Sequence, residues 1–319
     1  MKANDVRRVG IIGTGMIGTS LAVLLTGHGY PVTLLAMSQE LADQSEKKYD
    51  FLYREIIRQN IITEEQAAIC KRYLHYTTDW ADLAEANYIW ECVVEIPDVK
   101  WSVYREVERW CPNVDVLMSA TSGISPDELV KGCQRYQDHF IINHPTNPPH
   151  LVPYTEIIPS TTTSSVPGLL EKTMHFSSSL SLKPVRIGKI TPGFVTNRLQ
   201  MAMVREIFQM VEDGVAEPRD IDTAVMNGLI PTGLTTAGFF EILDYIGLET
   251  VVEEADQIFP TLCNATAAPN TLIEKRAAGH LGIKSGQGFY DWTNVDLDAF
   301  SSRIASPWWS LLRWDLPTE

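Results

Sequence analysis

Short apolar runs, each closed by glycine, proline or a polar cluster, set the rhythm of the chain's first part. Val9-Gly10-Ile11-Ile12, Val32-Thr33-Leu34-Leu35, the run 88–95, Val114-Asp115-Val116-Leu117-Met118 and Phe140-Ile141-Ile142 read as buried strands. Thr155-Glu156-Ile157-Ile158 predicts another short strand, and Lys183-Pro184-Val185-Arg186-Ile187 the last of this part. Helices are expected from Thr19 to Leu25 and near residues 166–176, the latter after a polar turn at 160–165. Residues 41–73 are charged and free of Pro and Gly, which predicts a helical hairpin inserted between the second and third strands. From Asn197 onward the period becomes 3.6. Leu199, Met203, Ile207 and Met210 share one helix face, with Gly214 just past its end. Further helices are expected from Glu217, over 238–248 and over 271–278. The pattern divides the chain into an α/β domain over 1–187 and an all-helical domain over 188–319. The tail of the latter carries Trp308, Trp309 and Trp314, and such apolar tails dock on their own domain or on a partner subunit. No internal repeat or low-complexity segment is evident.

Composition narrows the function. A length of 319 residues and 45% hydrophobic content allow two domains with sizeable cores. A net charge of −14 opposes nucleic-acid partners and anionic membranes. No apolar run reaches the roughly 18–20 residues of a spanning helix, and the first strand follows the N-terminus without a signal-peptide core. The five cysteines are widely spaced without a C-x-x-C pair, which predicts unpaired thiols in a reducing compartment, the cytoplasm. The seven histidines form no zinc pattern, and no metal is expected.

The first strand runs directly into Gly13-Thr14-Gly15-Met16-Ile17-Gly18, with a helix after it. In that position G-x-G-x-x-G is the dinucleotide fingerprint of a Rossmann domain with a mostly parallel, doubly wound sheet. Gly13 allows the tight turn, Gly15 lets a pyrophosphate approach the backbone, and Gly18 lets helix and strand pack closely. The N–H groups at Met16 and Ile17 and the dipole of the helix start face the phosphates. After the second strand, the acid that usually binds a ribose 2′-hydroxyl is replaced by Ala36-Met37-Ser38-Gln39. Ser38 could hydrogen-bond a 2′-phosphate, yet no Arg or Lys precedes Lys47. The cofactor is read as NAD, with NADP not excluded.

Carboxyl ends of strands in such a sheet face the ligand crevice. The run 88–95 therefore places Glu95, and Lys100 after it, near the cofactor. Ser119-Ala120-Thr121-Ser122 ends the next strand. Ser125 with Glu128 makes the better capping box, which leaves Ser122 for the site. The strand at Phe140 leads into Asn143-His144-Pro145-Thr146-Asn147-Pro148-Pro149, where proline enforces a stiff, non-helical loop. Two strands joined by that loop could hold the His144 imidazole against the Glu156 carboxylate, leaving the other ring nitrogen to move a proton.

Together these motifs resemble the L-3-hydroxyacyl-CoA dehydrogenase family, which includes L-gulonate 3-dehydrogenase (lambda-crystallin) and carnitine dehydrogenase relatives. The resemblance covers residues 9–292. In the second half it rests on Thr191-Pro192-Gly193-Phe194-Val195-Thr196-Asn197-Arg198, on the stretch 241–248 and on the glycine-rich stretch 279–290. It implies a Rossmann domain followed by a helical domain, a homodimer, His144 as catalytic base and Glu156 as its orienting carboxylate. It also implies Ser122 and Asn197 as holders of the reacting oxygen, with Asn147 near the substrate. The chain departs from the acyl-CoA pattern in Ala120-Thr121-Ser122-Gly123, in the missing acid after the second strand, and in a His-Pro-Thr-Asn-Pro-Pro loop closer to the gulonate and carnitine branch.

The expected activity is hydride transfer between a nicotinamide cofactor and C3 of a short 3-hydroxy or 3-oxo acid. The basic hairpin (Lys47, Lys48, Arg54, Arg58) and the stretch 279–290 suggest the alternative, a 3-hydroxyacyl-CoA thioester; the hairpin reads more simply as a solvated face with i,i+4 pairs. A non-catalytic dinucleotide-binding or structural protein is the third reading, and the retained His144, Glu156 and Asn197 count against it.

Overall fold

The computed structural model describes every residue except 1, 2, 4, 230–237, 310–313, 315, 318 and 319. Its sheet has eight strands: β1 (Val9–Ile12), β2 (Val32–Leu35), β3 (Leu74–Thr77), β4 (Tyr88–Glu91), β5 (Val116–Ser119), β6 (Phe140–Pro145), β7 (Tyr154–Pro159) and β8 (Lys183–Arg186). Their order is β3-β2-β1-β4-β5-β6-β7-β8. All neighbours are parallel except β6 and β7, which are antiparallel.

Helices α1 (Met16–Gly27), α2 (Gln39–Arg58), α3 (Glu64–Lys71), α4 (Pro97–Trp110), α5 (Pro126–Leu129) and α6 (Leu169–Ser179) connect the strands. Alternate strand residues feed two separate cores. Val9, Ile11, Val32, Leu34, Trp90 and Met118 pack in one, and Ile12, Leu35, Ile89, Leu117 and Ile142 in the other. Both faces are therefore covered, as parallel strands require. The chain reverses its direction of winding on either side of β1, between β2 and β4, and the carboxyl ends of β1, β4, β5 and β6 meet along one edge of the sheet.

Several elements depart from the sequence pattern. The ladder of β4 ends at Glu91, not Glu95, because Val93 turns its N–H onto the Glu91 carboxylate at 2.8 Å. The edge strand β3 went unmarked, since Leu-His-Tyr-Thr is only partly buried. Helix α6 begins at Leu169, after Gly168 adopts φ +79°. Ser125 caps α5 through the Asp127 N–H, not through a reciprocal box with Glu128.

The chain forms two compact units, one of Met1–Val195 with Ser301–Glu319, the other of Thr196–Phe300. The second contains α7 (Thr196–Glu212), α8 (Pro218–Ala224), α9 (Phe239–Ile246), α10 (Leu248–Ile258) and α11 (Asn270–Ala277). The apolar face expected on α7 is uncovered in its first half, Leu199 and Met203 being exposed, while Ile207 and Met210 are partly buried. The last helix, α12 (Leu297–Trp309), begins in this unit, but from Ser301 on the chain belongs to the first. The sequence pattern keeps that tail with the helical half. Its tryptophans explain the difference: Trp309 is buried in the core beneath α1, and the Trp314 ring lies so close to Gly27 that a Cβ there would come within 2.6 Å of it. Residues 310–313, 315, 318 and 319 of the tail lie outside the described residues.

Candidate active site

The glycine loop shows three different uses of a missing side chain. Gly13 sits at φ +110°, and a Cβ there would lie 2.7 Å from the Cys92 carbonyl oxygen. At Gly18 a Cβ would lie 1.9 Å from the Gly13 oxygen, so the turn closes only without one. At Gly15 a Cβ would meet nothing within 4 Å. That space lies at the start of α1, whose first turn carries no acidic residue and no side-chain cap. The backbone N–H groups of Met16, Ile17 and Gly18 therefore begin a helix that offers its positive end to an anion. This donor set fits the pyrophosphate of a dinucleotide.

At the end of β2, Ser38 caps α2, its hydroxyl oxygen accepting the Leu41 N–H at 3.3 Å. Glu40 stands in the first turn of the same helix.

At the end of β4 the chain builds a buried ionic knot that the sequence does not announce. Glu91 lies in register between Ile12 of β1 and Ser119 of β5 and is wholly buried. Its carboxylate accepts from Lys100 Nζ at 2.8 Å, Ser119 Oγ at 2.7 Å and Tyr104 OH at 3.0 Å. Lys100, 1% exposed, also reaches Glu95 Oε2 at 3.3 Å. Its ammonium is thus engaged by carboxylates, although the sequence places it beside the cofactor. Glu95 Oε1 in turn accepts from the Thr121 hydroxyl and from the backbone N–H groups of Ser122 and Gly123 at 3.0 and 3.1 Å. Partial burial works against the charged form of Glu95. The Thr121 hydrogen bond, the Lys100 charge and the two N–H groups outweigh it and hold the carboxyl below its ordinary range. Glu95 thereby shapes the turn that presents Ser122, whose side chain is exposed at the carboxyl end of β5.

His144 and Glu156 stand directly opposite each other in the β6–β7 register. His144 Nδ1 lies 2.9 Å from Glu156 Oε2, and Glu156 is fully buried. The second carboxylate oxygen accepts the Val195 N–H at 2.9 Å and the Tyr154 hydroxyl at 3.3 Å. A carboxylate at that distance takes the ring N–H at Nδ1 and so fixes the Nδ1–H tautomer of the imidazole. The buried ring of Phe194 tilts against His144 at 5.6 Å, from a backbone held at φ +48°. His144 itself keeps a side chain 12% exposed. The following loop returns to the cofactor helix, Asn147 Nδ2 lying 2.9 Å from Met16 Sδ.

The structure thus gathers His144, Glu156, Asn147, Met16 and the glycine loop along one sheet edge, with Ser122 and Glu95 at neighbouring strand ends. Asn197 belongs to the other unit, as the second residue of α7. Sequence reasoning missed Glu91, Phe194, Val195, Ser20 and His150. The TPGFV stretch was a signal for Phe194 and Val195, and the acid inside the run 88–95 was one for Glu91. Nothing local marks Ser20 or His150. Among the described residues no group of three or more His, Cys, Asp or Glu side chains could hold a metal ion, and no helix is long and apolar enough to cross a membrane.

Residues 8–190 match the model of the 3-hydroxyacyl-CoA dehydrogenase NAD-binding domain, and residues 193–292 that of the family's C-terminal domain. A 5-formyl-3-hydroxy-2-methylpyridine 4-carboxylate 5-dehydrogenase of Mesorhizobium japonicum is 28% identical over 94% of this chain and 95% of its own. The crystal structure of an enzyme of that name, an NAD+-dependent dismutase, matches with a TM-score of 0.86 at 27% identity, covering 96% of this chain and 97% of that one. The lambda-crystallin homolog of Rattus norvegicus is 31% identical over 69% of this chain and 68% of its own. The structure of (S)-3-hydroxybutyryl-CoA dehydrogenase from Ralstonia eutropha matches with a TM-score of 0.74 at 25% identity, covering 91% of this chain and 100% of that one.

Proposed function

The chain belongs to the 3-hydroxyacyl-CoA dehydrogenase family, and from that premise we propose that it oxidises and reduces C3 of a short acid bearing a free carboxylate. The single observation that carries this reading is the His144–Glu156 pair on opposed strands, whose connecting loop touches the cofactor helix. Bound at the glycine loop, NAD supplies the hydride acceptor in oxidation and the donor in reduction. His144 Nε2 takes the hydroxyl proton as the alcohol is oxidised and returns it in reduction. Glu156 holds Nδ1–H and stabilises the imidazolium. Ser122 hydrogen-bonds the reacting oxygen as charge develops on it, and Asn197 shares this role on the family pattern alone. Asn147 sits beside the same substrate. Glu95, fixed by Lys100, keeps the Ser122 turn in place.

A free acid is favoured over a CoA thioester by the higher structural likeness to an enzyme of a pyridine carboxylate, 0.86 against 0.74 for a hydroxybutyryl-CoA enzyme. Of the four basic residues of the hairpin, Arg58 is drawn to its own helix, contacting Glu55 at 2.6 Å, which supports the solvated-face reading at that position. NAD is favoured over NADP because Ser38 is engaged as a helix cap and Glu40 stands beside it. Exposed Phe240 and Tyr245 support a homodimer formed through the helical unit. Five free thiols suit the cytoplasm.

Cofactor oxidation followed by absorbance tests this, with acetoacetate, 5-formyl-3-hydroxy-2-methylpyridine 4-carboxylate and acetoacetyl-CoA side by side, each with NADH and NADPH. Turnover of a free acid with NADH is expected. Preference for the thioester would replace the free-acid reading, and dinucleotide binding without turnover of any of them would overturn the enzymatic one.

A further inference from the structure

The loop between β6 and β7 meets α1 at two points one helical turn apart. Asn147 contacts Met16, as described above. Deeper in, Ser20 Oγ accepts the His150 backbone N–H at 3.1 Å and lies 2.7 Å from His150 Nδ1. The hydroxyl can also donate its own proton, so Ser20 closes on Nδ1 in whichever sense the imidazole tautomer sets. Both residues are buried, Ser20 at 1% and His150 at 3% exposure. Burial, and secondarily the charge of Lys48, push the imidazole down to about 3, so the ring stays neutral at neutral pH. Met16 and Ser20 are four residues apart and share a face of α1. The helix that begins at the phosphate cradle and the loop that follows the His144 strand are therefore joined twice along that face.

We propose that Ser20 and His150 are positioning residues, a buried pair that holds the loop after β6 on the cofactor helix and so sets the end of that strand, and with it the His144 imidazole, against the bound dinucleotide. The inference rests on the reading of His144 and the glycine loop given above. Ser20 and His150 act only through the backbone they hold, and hydride and proton transfer are sensitive to that alignment. A displacement of about 1 Å can cost on the order of 10²-fold in rate.

The test uses the full-length protein with Ser20→Ala, His150→Leu, the double variant and His150→Asn. The single changes should lower kcat about tenfold or more while KM for the acid stays within about twofold. The double variant should be no worse than Ser20→Ala, which already loses both contacts, while His150→Leu keeps the backbone one and should fall less. His150→Asn, whose amide can offer either an acceptor or a donor where Nδ1 stands, should recover most of kcat. Lowered thermal stability with kcat unchanged throughout would mean ordinary core packing and overturn the proposal. A second readout is independent of turnover: NADH should slow amide exchange across residues 146–153 in the wild type but not in Ser20→Ala. Equal slowing in both overturns the clamp. A wild type that turns over neither acid nor thioester overturns the functional reading, and the exchange comparison still decides the clamp. If His150→Leu does not fold, Ser20→Ala and His150→Asn carry the decision.

Discussion

His144 and Glu156 face each other across the one antiparallel junction of the sheet, Nδ1 to Oε2 at 2.9 Å. Because both belong to paired strands, their separation is set by ladder register rather than by a mobile loop. Removing the charge but not the shape should therefore isolate the carboxylate's role. In Glu156→Gln the amide offers one acceptor where Val195, Tyr154 and His144 now share two carboxylate oxygens. We expect kcat to fall by about 10²-fold or more with dinucleotide affinity retained. His144→Ala should fall through about the 10²–10⁴-fold that general acid–base action supplies. Steady-state kinetics with parallel fluorescence titration of NADH reads both, and a Glu156→Gln enzyme near wild-type rate would remove Glu156 from the mechanism.

Gly15 and Gly18 should separate binding from folding. An alanine at position 15 meets nothing of the protein within 4 Å and keeps an ordinary backbone, φ −66°. Its methyl group would stand where the pyrophosphate approaches. We expect Gly15→Ala to keep its stability within roughly 0.5 kcal/mol and to bind NADH at least about tenfold more weakly. In Gly18→Ala the methyl must displace the Gly13 carbonyl, so stability and binding should be lost together. Thermal denaturation beside NADH titration distinguishes the two, and equal stability losses would refute the contrast.

The glycine loop was legible because its demands are local: a turn, an open approach and a close contact within six residues, between an apolar run and a helix. His144 and Glu156 were legible as a pair because proline confines the loop between two short strands. The end of β4 was not. Tyr88 to Glu95 is one run in which nothing marks the last ladder residue, and Glu91 is tolerated inside because Lys100 reaches it from the next helix. His150 is likewise invisible, since its partner Ser20 lies on an element far away in sequence. Trp314 belongs to the first unit because α1 ends in Gly27, whose missing side chain leaves room for the ring. Such tertiary partners have no period to read.

The Glu91–Lys100 pair should matter first for stability. Lys100→Met leaves a buried carboxylate facing Ser119 and Tyr104 without its cation. Breaking such a pair from one side costs about 3–5 kcal/mol, whereas replacing both partners by apolar groups is often neutral. Urea unfolding should show that loss in Lys100→Met and most of it restored in Glu91→Leu/Lys100→Met. A double variant no better than the single would mean that Glu91's other hydrogen bonds, not the ion pair, hold the region.

His150 gives the fold a pH dependence whose sign follows from its burial. Its folded-state value of about 3 lies below the ordinary 6.5 of a solvated imidazole, so the unfolded chain binds the proton and the native one does not. Stability from this group is complete above about pH 6.5 and is lost progressively as pH falls from there toward 3. Between pH 6.5 and 5 the loss is about 2 kcal/mol, since one proton taken up on unfolding changes stability by about 1.4 kcal/mol for each step of one in pH. Asparagine does not titrate, so His150→Asn should flatten this part of the curve while leaving neutral-pH stability close to wild type. Thermal unfolding of both proteins from pH 5 to 8 measures the difference. Parallel curves would mean that His150 reaches solvent, and would remove the buried neutral imidazole on which Ser20 closes.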